Sequence, residues 1–149
     1  MKLEFSGSPE ITAARVPVWA RLMDPHFLAR SAPGVESVEI IDTNRFTVVS
    51  GFGAGSFKVR FTMDVELFDI VPERSARMRM QAQAPGSAVE VLSRIEIQEA
   101  DPNTVRLNWS ATSEISGTVA GLGARLMEGA ARRLTEQFWT DFARRVAAE

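Results

Sequence analysis

Gly51, Gly53 and Gly55, at alternate positions in GFGAGSF, are the first residues here whose type and spacing could do chemistry. A loop of this kind can turn its backbone N–H groups onto a phosphate when the N-terminus of a helix follows it. Here FKVRFTMDVELF (57–68) follows, alternating apolar and polar residues with the period of a strand. There is no Gly-Lys-Ser/Thr ending either. The spacing therefore predicts a hairpin connection in which glycine supplies a positive φ.

Other reactive types are few. The single histidine, His26, follows Pro25 and has no neighbour of ligand type at metal spacing, so no metal site is expected. Ser50, Ser93 and Ser113 fall at inward positions, but no histidine can be placed beside them as a base. The carboxylates fall mostly on polar faces and suggest no acid/base dyad. With no cysteine and no tyrosine, thiolate nucleophiles, disulfides and phenol chemistry are excluded. The expectation is a protein with no catalytic residue and no cofactor. A net charge of −2 and a pI near 5.5 argue against nucleic acid as a partner. MKLEFSGSPE has no apolar signal core, and no window approaches the roughly 18 apolar residues of a membrane span. A soluble, cytoplasmic protein is expected.

The elements that must position any site follow from periodicity. A chain of 149 residues, 45% of them hydrophobic, is read as one domain with a sizeable core. Residues 1–12 read as a strand. Two short helices follow, the first over 16–23 with Pro17 in its first turn, the second capped by Asp24 with Pro25 at its first position. APG (32–34) stops the second. Six strands then form a meander over 35–41, 45–51, 57–68, 76–82, 88–98 and 104–115. Across its turns, Asp64 is predicted opposite Arg79, Glu66 opposite Arg77 and Glu96 opposite Arg106, which makes the arginines a solvated sheet face. From 118 to 147 the pattern is helical, with Leu122, Leu126, Ala130, Leu134, Phe138 and Phe142 four apart and Met127 and Val146 beside them. Glu128–Arg132 and Asp141–Arg145 are the predicted pairs on its polar face, and the helix would be about 45 Å long. The fold class is α+β: a seven-stranded curved antiparallel sheet, two short helices and a long C-terminal helix lying across the sheet.

Hairpin connections alternate between the two ends of a meander. Gly51, Phe52, Gly53, Gly55, Pro85, Gly86, Gly117 and Gly121 therefore gather at the end where the long helix begins, and are predicted to form a pocket mouth. Behind them Val59, Phe61, Met63, Met78, Met80, Trp109 and Ala111 face inward, with Leu122 and Leu126 from the helix. These residues, with Ser93 to orient the ligand, are the candidate binding wall for a hydrophobic small molecule. The alternative is a filled core with a loose rim.

This order of elements resembles the START-like helix-grip superfamily, including its pollen-allergen and polyketide-cyclase branches. FSGSPEI with VPVWARLMDPHFLARSAPGVESVE (16–39) is similar to the N-terminal half of the carbon monoxide dehydrogenase G-subunit family. The marks are Val18-Trp19, Leu22 with Asp24-Pro25, Leu28-Ala29 and Pro33-Gly34. ISGTVAGLGARLMEGAARRLTEQFWTDF (115–142) is similar to that family's long helix. The likeness spans almost the whole chain; single motifs are weak, and their order is the specific part. It implies a non-catalytic accessory protein that holds a hydrophobic molecule such as a quinone or a lipid. It also implies help in coupling a molybdenum-containing carbon monoxide dehydrogenase, or a related oxidoreductase, to the inner face of the cell membrane through peripheral contact. Many members carry a C-terminal tail that contacts the membrane; this sequence departs by ending at RRVAAE directly after the helix. AQAPGSA (82–88) is also poorer in glycine than the family pattern. Two other readings stand beside this one: a cyclase or aromatase enzyme in the same fold, and an interaction module with a filled core.

Overall fold

The structure is a computed structural model that describes residues 1–54 and 56–149. The strand expected over 1–12 is two strands, β1 (Lys2–Gly7) and β2 (Glu10–Ile11). Pro9 lies between them; it has no N–H to give a ladder, although its carbonyl accepts from the Leu107 N–H at 2.9 Å. Helices α1 (Arg15–Leu22) and α2 (Pro25–Ser31) follow. The Asp24 carboxylate caps α2, accepting from the N–H groups of His26 at 3.0 Å and Phe27 at 3.3 Å. The meander is β3 (Val35–Asp42), β4 (Arg45–Ala54), β5 (Phe57–Val71), β6 (Ser75–Ala84), β7 (Ser87–Asp101) and β8 (Thr104–Gly117). The sheet runs β1-β8-β7-β6-β5-β4-β3, antiparallel throughout, and β2 adds to β8. Helix α3 (Ala124–Ala147) crosses this curved sheet.

Two cross-strand registers differ from expectation by two residues. Glu66 lies opposite Arg79, Asp64 opposite Gln81, and Phe68 opposite Arg77. The cause is that β5 runs on to Val71 past an irregularity at Asp69 (φ 49), so the reversal comes later than expected. Arg79 still reaches Glu66 (3.6 Å), whereas Arg77 bonds Asp69 (3.1 Å) and lies 5.0 Å over the Phe68 ring. Likewise β7 continues to Asp101, which places Gln98 rather than Glu96 opposite Arg106. Arg106 pairs with Glu10 of β2 at 2.8 Å. A shift of two preserves the faces, so the inward residues stay inward.

The long helix starts at Ala124 rather than 118. Gly123 (φ 92) separates it from a 3-10 turn over Ala120–Leu122, and 24 helical residues span about 36 Å. Its buried stripe holds Met127, Ala130, Phe142 and Val146, while Leu126 is 40% exposed. At 3.6 residues per turn Leu126 lies about 160° around the helix from Phe142, and Met127 only about 60°. Glu128–Arg132 pairs at 3.1 Å. Asp141 pairs with Arg144 (3.3 Å) rather than Arg145, which lies 4.9 Å over the Phe27 ring and joins α3 to α2. Gly129 is exposed on α3, and a Cβ there would meet nothing within 4 Å. Gly129→Ala is expected to raise stability by about 1 kcal/mol, read as a higher urea midpoint at unchanged slope.

The buried residues form three clusters. One joins α1, α2 and the C-terminal part of α3 through Val18, Leu22, Phe27, Phe142 and Val146. A second, at the end where α3 begins, holds Leu3, Phe61, Ile115, Val119 and Met127. The third is Phe46, Val48 and Val65 on β4 and β5. No helix among the described residues is long and apolar enough to cross a membrane.

Candidate functional site

Between these clusters lies a cavity of about 300 Å³. The sheet supplies its floor through β-branched and thioether side chains at alternating positions: Val48 on β4, Met63 and Val65 on β5, Met78 and Met80 on β6, Val91 on β7. The helices supply its roof through Trp19, Met23 and Leu28 on one side and Phe138 and Trp139 of α3 on the other. All three tryptophans of the chain line it. Trp109 and Trp139 face each other at 6.3 Å between ring centroids, and Phe138 meets Trp139 edge-on at 4.9 Å.

Six of the ten residues expected on the wall are brought together there: Met63, Met78, Met80, Ser93, Trp109 and Ala111. The other four lie elsewhere. Val59, Phe61 and Leu122 belong to the cluster at the start of α3, where the Phe61 ring meets Phe52 edge-on at 6.0 Å. Leu126 is on the outer side of α3.

None of the described residues expected at a mouth lines the cavity. The Gly51 N–H donates to the Gly34 carbonyl at 2.9 Å, and Phe52 fills the end cluster. Gly53 pairs with Lys58 in the β4–β5 ladder, and Gly55 lies outside the described residues. Pro85 and Gly86 make the β6–β7 turn; the Gly86 carbonyl accepts from the Thr118 N–H at 2.8 Å and abuts Gly117. Gly121 sits in the 3-10 turn. Of these glycines Gly86 and Gly117 have positive φ, and at Gly117 close backbone approach adds to it, whereas Gly51 and Gly53 lie in the β4 ladder, Gly51 without a positive φ.

Phe27 and Leu28 were expected on the buried side of the second helix, and Leu28 does reach the wall, but sequence reasoning did not assign it to the site; it missed Trp19 and Met23, because a helix of eight residues shows too few turns to declare a face. It also missed Trp139, which stands three residues before Phe142 on the i,i+3 row of the same stripe.

The wall is almost wholly apolar. Its polar residues are Ser50, Ser93 and Arg77, and the Arg77 guanidinium turns away to Asp69. Among the described residues the wall carries no carboxylate and no imidazole, and no cluster of His, Asp or Glu could hold a metal ion. The arginines whose pKa departs from the ordinary value, Arg21 and Arg60, are held higher by hydrogen bonds to Glu149 and Glu36. Both lie outside the cavity and are charged at any physiological pH, so they give the site no pH switch. This arrangement can take an apolar body out of water.

The family model for CoxG, the G subunit of carbon monoxide dehydrogenase, matches residues 7–147. No curated protein matches the sequence. Among solved structures, a conserved protein from Geobacillus kaustophilus is similar at a TM-score of 0.92 and 24% identity, covering 98% of this chain and 96% of that one. A START superfamily protein from Mycobacterium smegmatis gives 0.76 and 12%, covering 96% of each chain. The Zhui aromatase/cyclase from Streptomyces sp. R1128 gives 0.74 and 14%, covering 98% of this chain and 94% of that one. At these identities the likeness speaks to the fold, a START-like helix-grip.

Proposed function

From the premise that the chain belongs to the CoxG family of carbon monoxide dehydrogenase, we propose a non-catalytic carrier that holds a hydrophobic small molecule in the cavity under α3. The observation that carries this reading is the cavity itself: about 300 Å³ of space with almost wholly apolar walls, among whose lining residues are Ser50 and Ser93. Each 100 Å² of apolar surface that a ligand removes from water contributes about 2.5 kcal/mol, before the costs of ordering. The finer form of the proposal is that the cargo is an isoprenoid quinone whose ring fills the cavity near Ser93 and Ser50 while its tail extends beyond it. The carrier would serve a molybdenum-containing carbon monoxide dehydrogenase or a related oxidoreductase at the inner face of the cell membrane. A cyclase reading would need a group on the wall able to move a proton, and a filled interaction module leaves the void unused.

The test uses the three wall tryptophans as reporters. Titration with a short-tailed benzoquinone is expected to quench their emission to saturation at one ligand per chain. Organic extracts of protein purified from its own cells are expected to contain a quinone in similar amount. Ala111→Phe places a ring in the cavity and is expected to weaken binding by at least about tenfold while the far-UV spectrum stays native. Protein with no extractable apolar molecule and no saturable quench would remove the carrier reading. Affinity capture from native membranes tests the partner, which should be a molybdenum enzyme.

A further inference from the structure

We propose that the cavity opens sideways between α2 and β3, and that the groove outside this portal seats the acidic head of an amphiphile whose apolar body fills the cavity. The inference rests on the carrier reading and adds a head-group site and a ligand class to it.

Three residues, Ala29, Ala32 and Val35, line both the cavity and an outer groove between α2 and β3. The other boundaries are heavier. On the β1 side the residues shared with an outer cleft are Trp109 and Trp139, two facing indoles braced by Phe138. The end where α3 begins is packed by Phe61, Val119 and Met127. Two methyl groups and one isopropyl group part with a smaller displacement than two indoles. The strand beside them is also free to give: β3 ends the sheet and hydrogen-bonds only to β4, so its movement away from α2 breaks no ladder on that side.

The chemistry outside the portal differs from that inside. Two acids border the groove, and both are committed. Asp24 caps α2 and lies 3.8 Å from Arg21; Glu36 is held by Arg60 at 2.6 Å. Arg30 borders the same groove and donates its Nε–H to the backbone carbonyl of His26 at 3.3 Å. Among the described residues no carboxylate pairs with Arg30. His26 and Ser37 add further hydrogen-bonding groups. A guanidinium with no carboxylate partner, beside further hydrogen-bonding groups, selects a carboxylate or another anionic oxygen head. At about 30 Å³ per water-sized unit, the cavity holds roughly ten heavy atoms, the size of a ten-carbon chain. A quinone ring, with acceptor oxygens but no charge, is a neutral occupant of similar size.

The experiment compares three probes with one tail and different heads: decanoate, decanol and decyltrimethylammonium, each titrated against tryptophan emission at low salt. Decanoate is expected to bind about fivefold more tightly than decanol, the ammonium more weakly than either, with the spread narrowing as salt rises. Arg30→Glu is expected to invert the order while leaving decanol unchanged. Ala32→Phe, which crowds the portal, is expected to slow association of all three in stopped-flow traces. Equal affinities in both proteins would overturn the head-group site and leave the carrier standing. Unchanged association in Ala32→Phe would overturn the portal. Failure of every probe to shift tryptophan emission or to displace the short-tailed benzoquinone, with no saturable quench by that quinone itself, would overturn the carrier as well.

Discussion

Phe142→Ala is expected to lower stability by about 3–5 kcal/mol, the usual range for removing a buried phenyl ring from a close-packed core. Phe142 is fully buried and is where three helices meet. Its ring meets Phe27 of α2 edge-on at 5.5 Å, meets Trp139 edge-on at 5.6 Å and stacks on Phe138 at 6.0 Å. The space left cannot be closed by a simple shift, because α1 and α2 are already drawn against α3 by Val18, Leu22 and Val146. Native domains hold only about 5–15 kcal/mol in all, so the loss is a large fraction of the total. Urea unfolding followed by circular dichroism should show a lower midpoint with unchanged slope. A second effect separates this position from any other core phenylalanine. Phe138 and Trp139 line the cavity and lean on Phe142, so the variant should also quench less with a short-tailed benzoquinone under conditions where it remains folded. A loss below about 1 kcal/mol would mean that the contacts of α3 with α1 and α2 contribute far less than burial implies.

What the sequence disclosed, and what it withheld, divide along a physical line. Periodicity located every strand of the meander and its inward face, because a register error of two leaves the side-chain parity of Val65, Met78 and Trp109 untouched. Partners across the ladder are set by where the chain reverses. The left-handed conformation of Asp69 and the late turn after Val71 are local choices that alternation does not reveal. The helix stripe was drawn as a strict row of fours, which drifts about 40° per step and so carried Leu126 out to the solvent side. The cavity was legible as a set of apolar residues but not as a space. Met63, Met78 and Met80 would face inward in a filled core too; the void depends on how Trp19, Leu28 and Trp139 meet above them. Glycine was the least legible residue of all, since permissive φ and close approach leave the same letter in the sequence.

Gly117 separates those two meanings by experiment. It ends β8 opposite Ser87, with φ at 83, in the left-handed region that side chains with a Cβ rarely adopt. A Cβ built there would stand 2.0 Å from the Gly86 carbonyl oxygen and 2.9 Å from the Ser87 Cα, both of them backbone. The surrounding hydrogen bonds leave little slack. The Thr118 N–H donates to that same carbonyl at 2.8 Å, and the Val119 N–H donates to the Ser87 hydroxyl at 3.1 Å. Val119, fully buried, anchors the end cluster from there. Gly117→Ala must therefore bear left-handed strain of about 1–3 kcal/mol and also push two strand ends apart. A total loss above about 3 kcal/mol is expected, the strain and the displacement together. Gly123 supplies the comparison: its φ of 92 and ψ of 151 lie in a region essentially reserved for glycine, but a Cβ there meets nothing within 4 Å, so Gly123→Ala bears the conformational cost alone, about 1–3 kcal/mol. Gly121→Ala, with open space and no left-handed φ, should be close to neutral. The order of urea midpoints should be Gly121→Ala above Gly123→Ala above Gly117→Ala. Equal losses at 117 and 123 would leave the close approach without energetic weight. A neutral Gly117→Ala would mean that the strand ends separate freely, which would return the mouth to the glycine end of the sheet and leave the portal beside α2 without its reason.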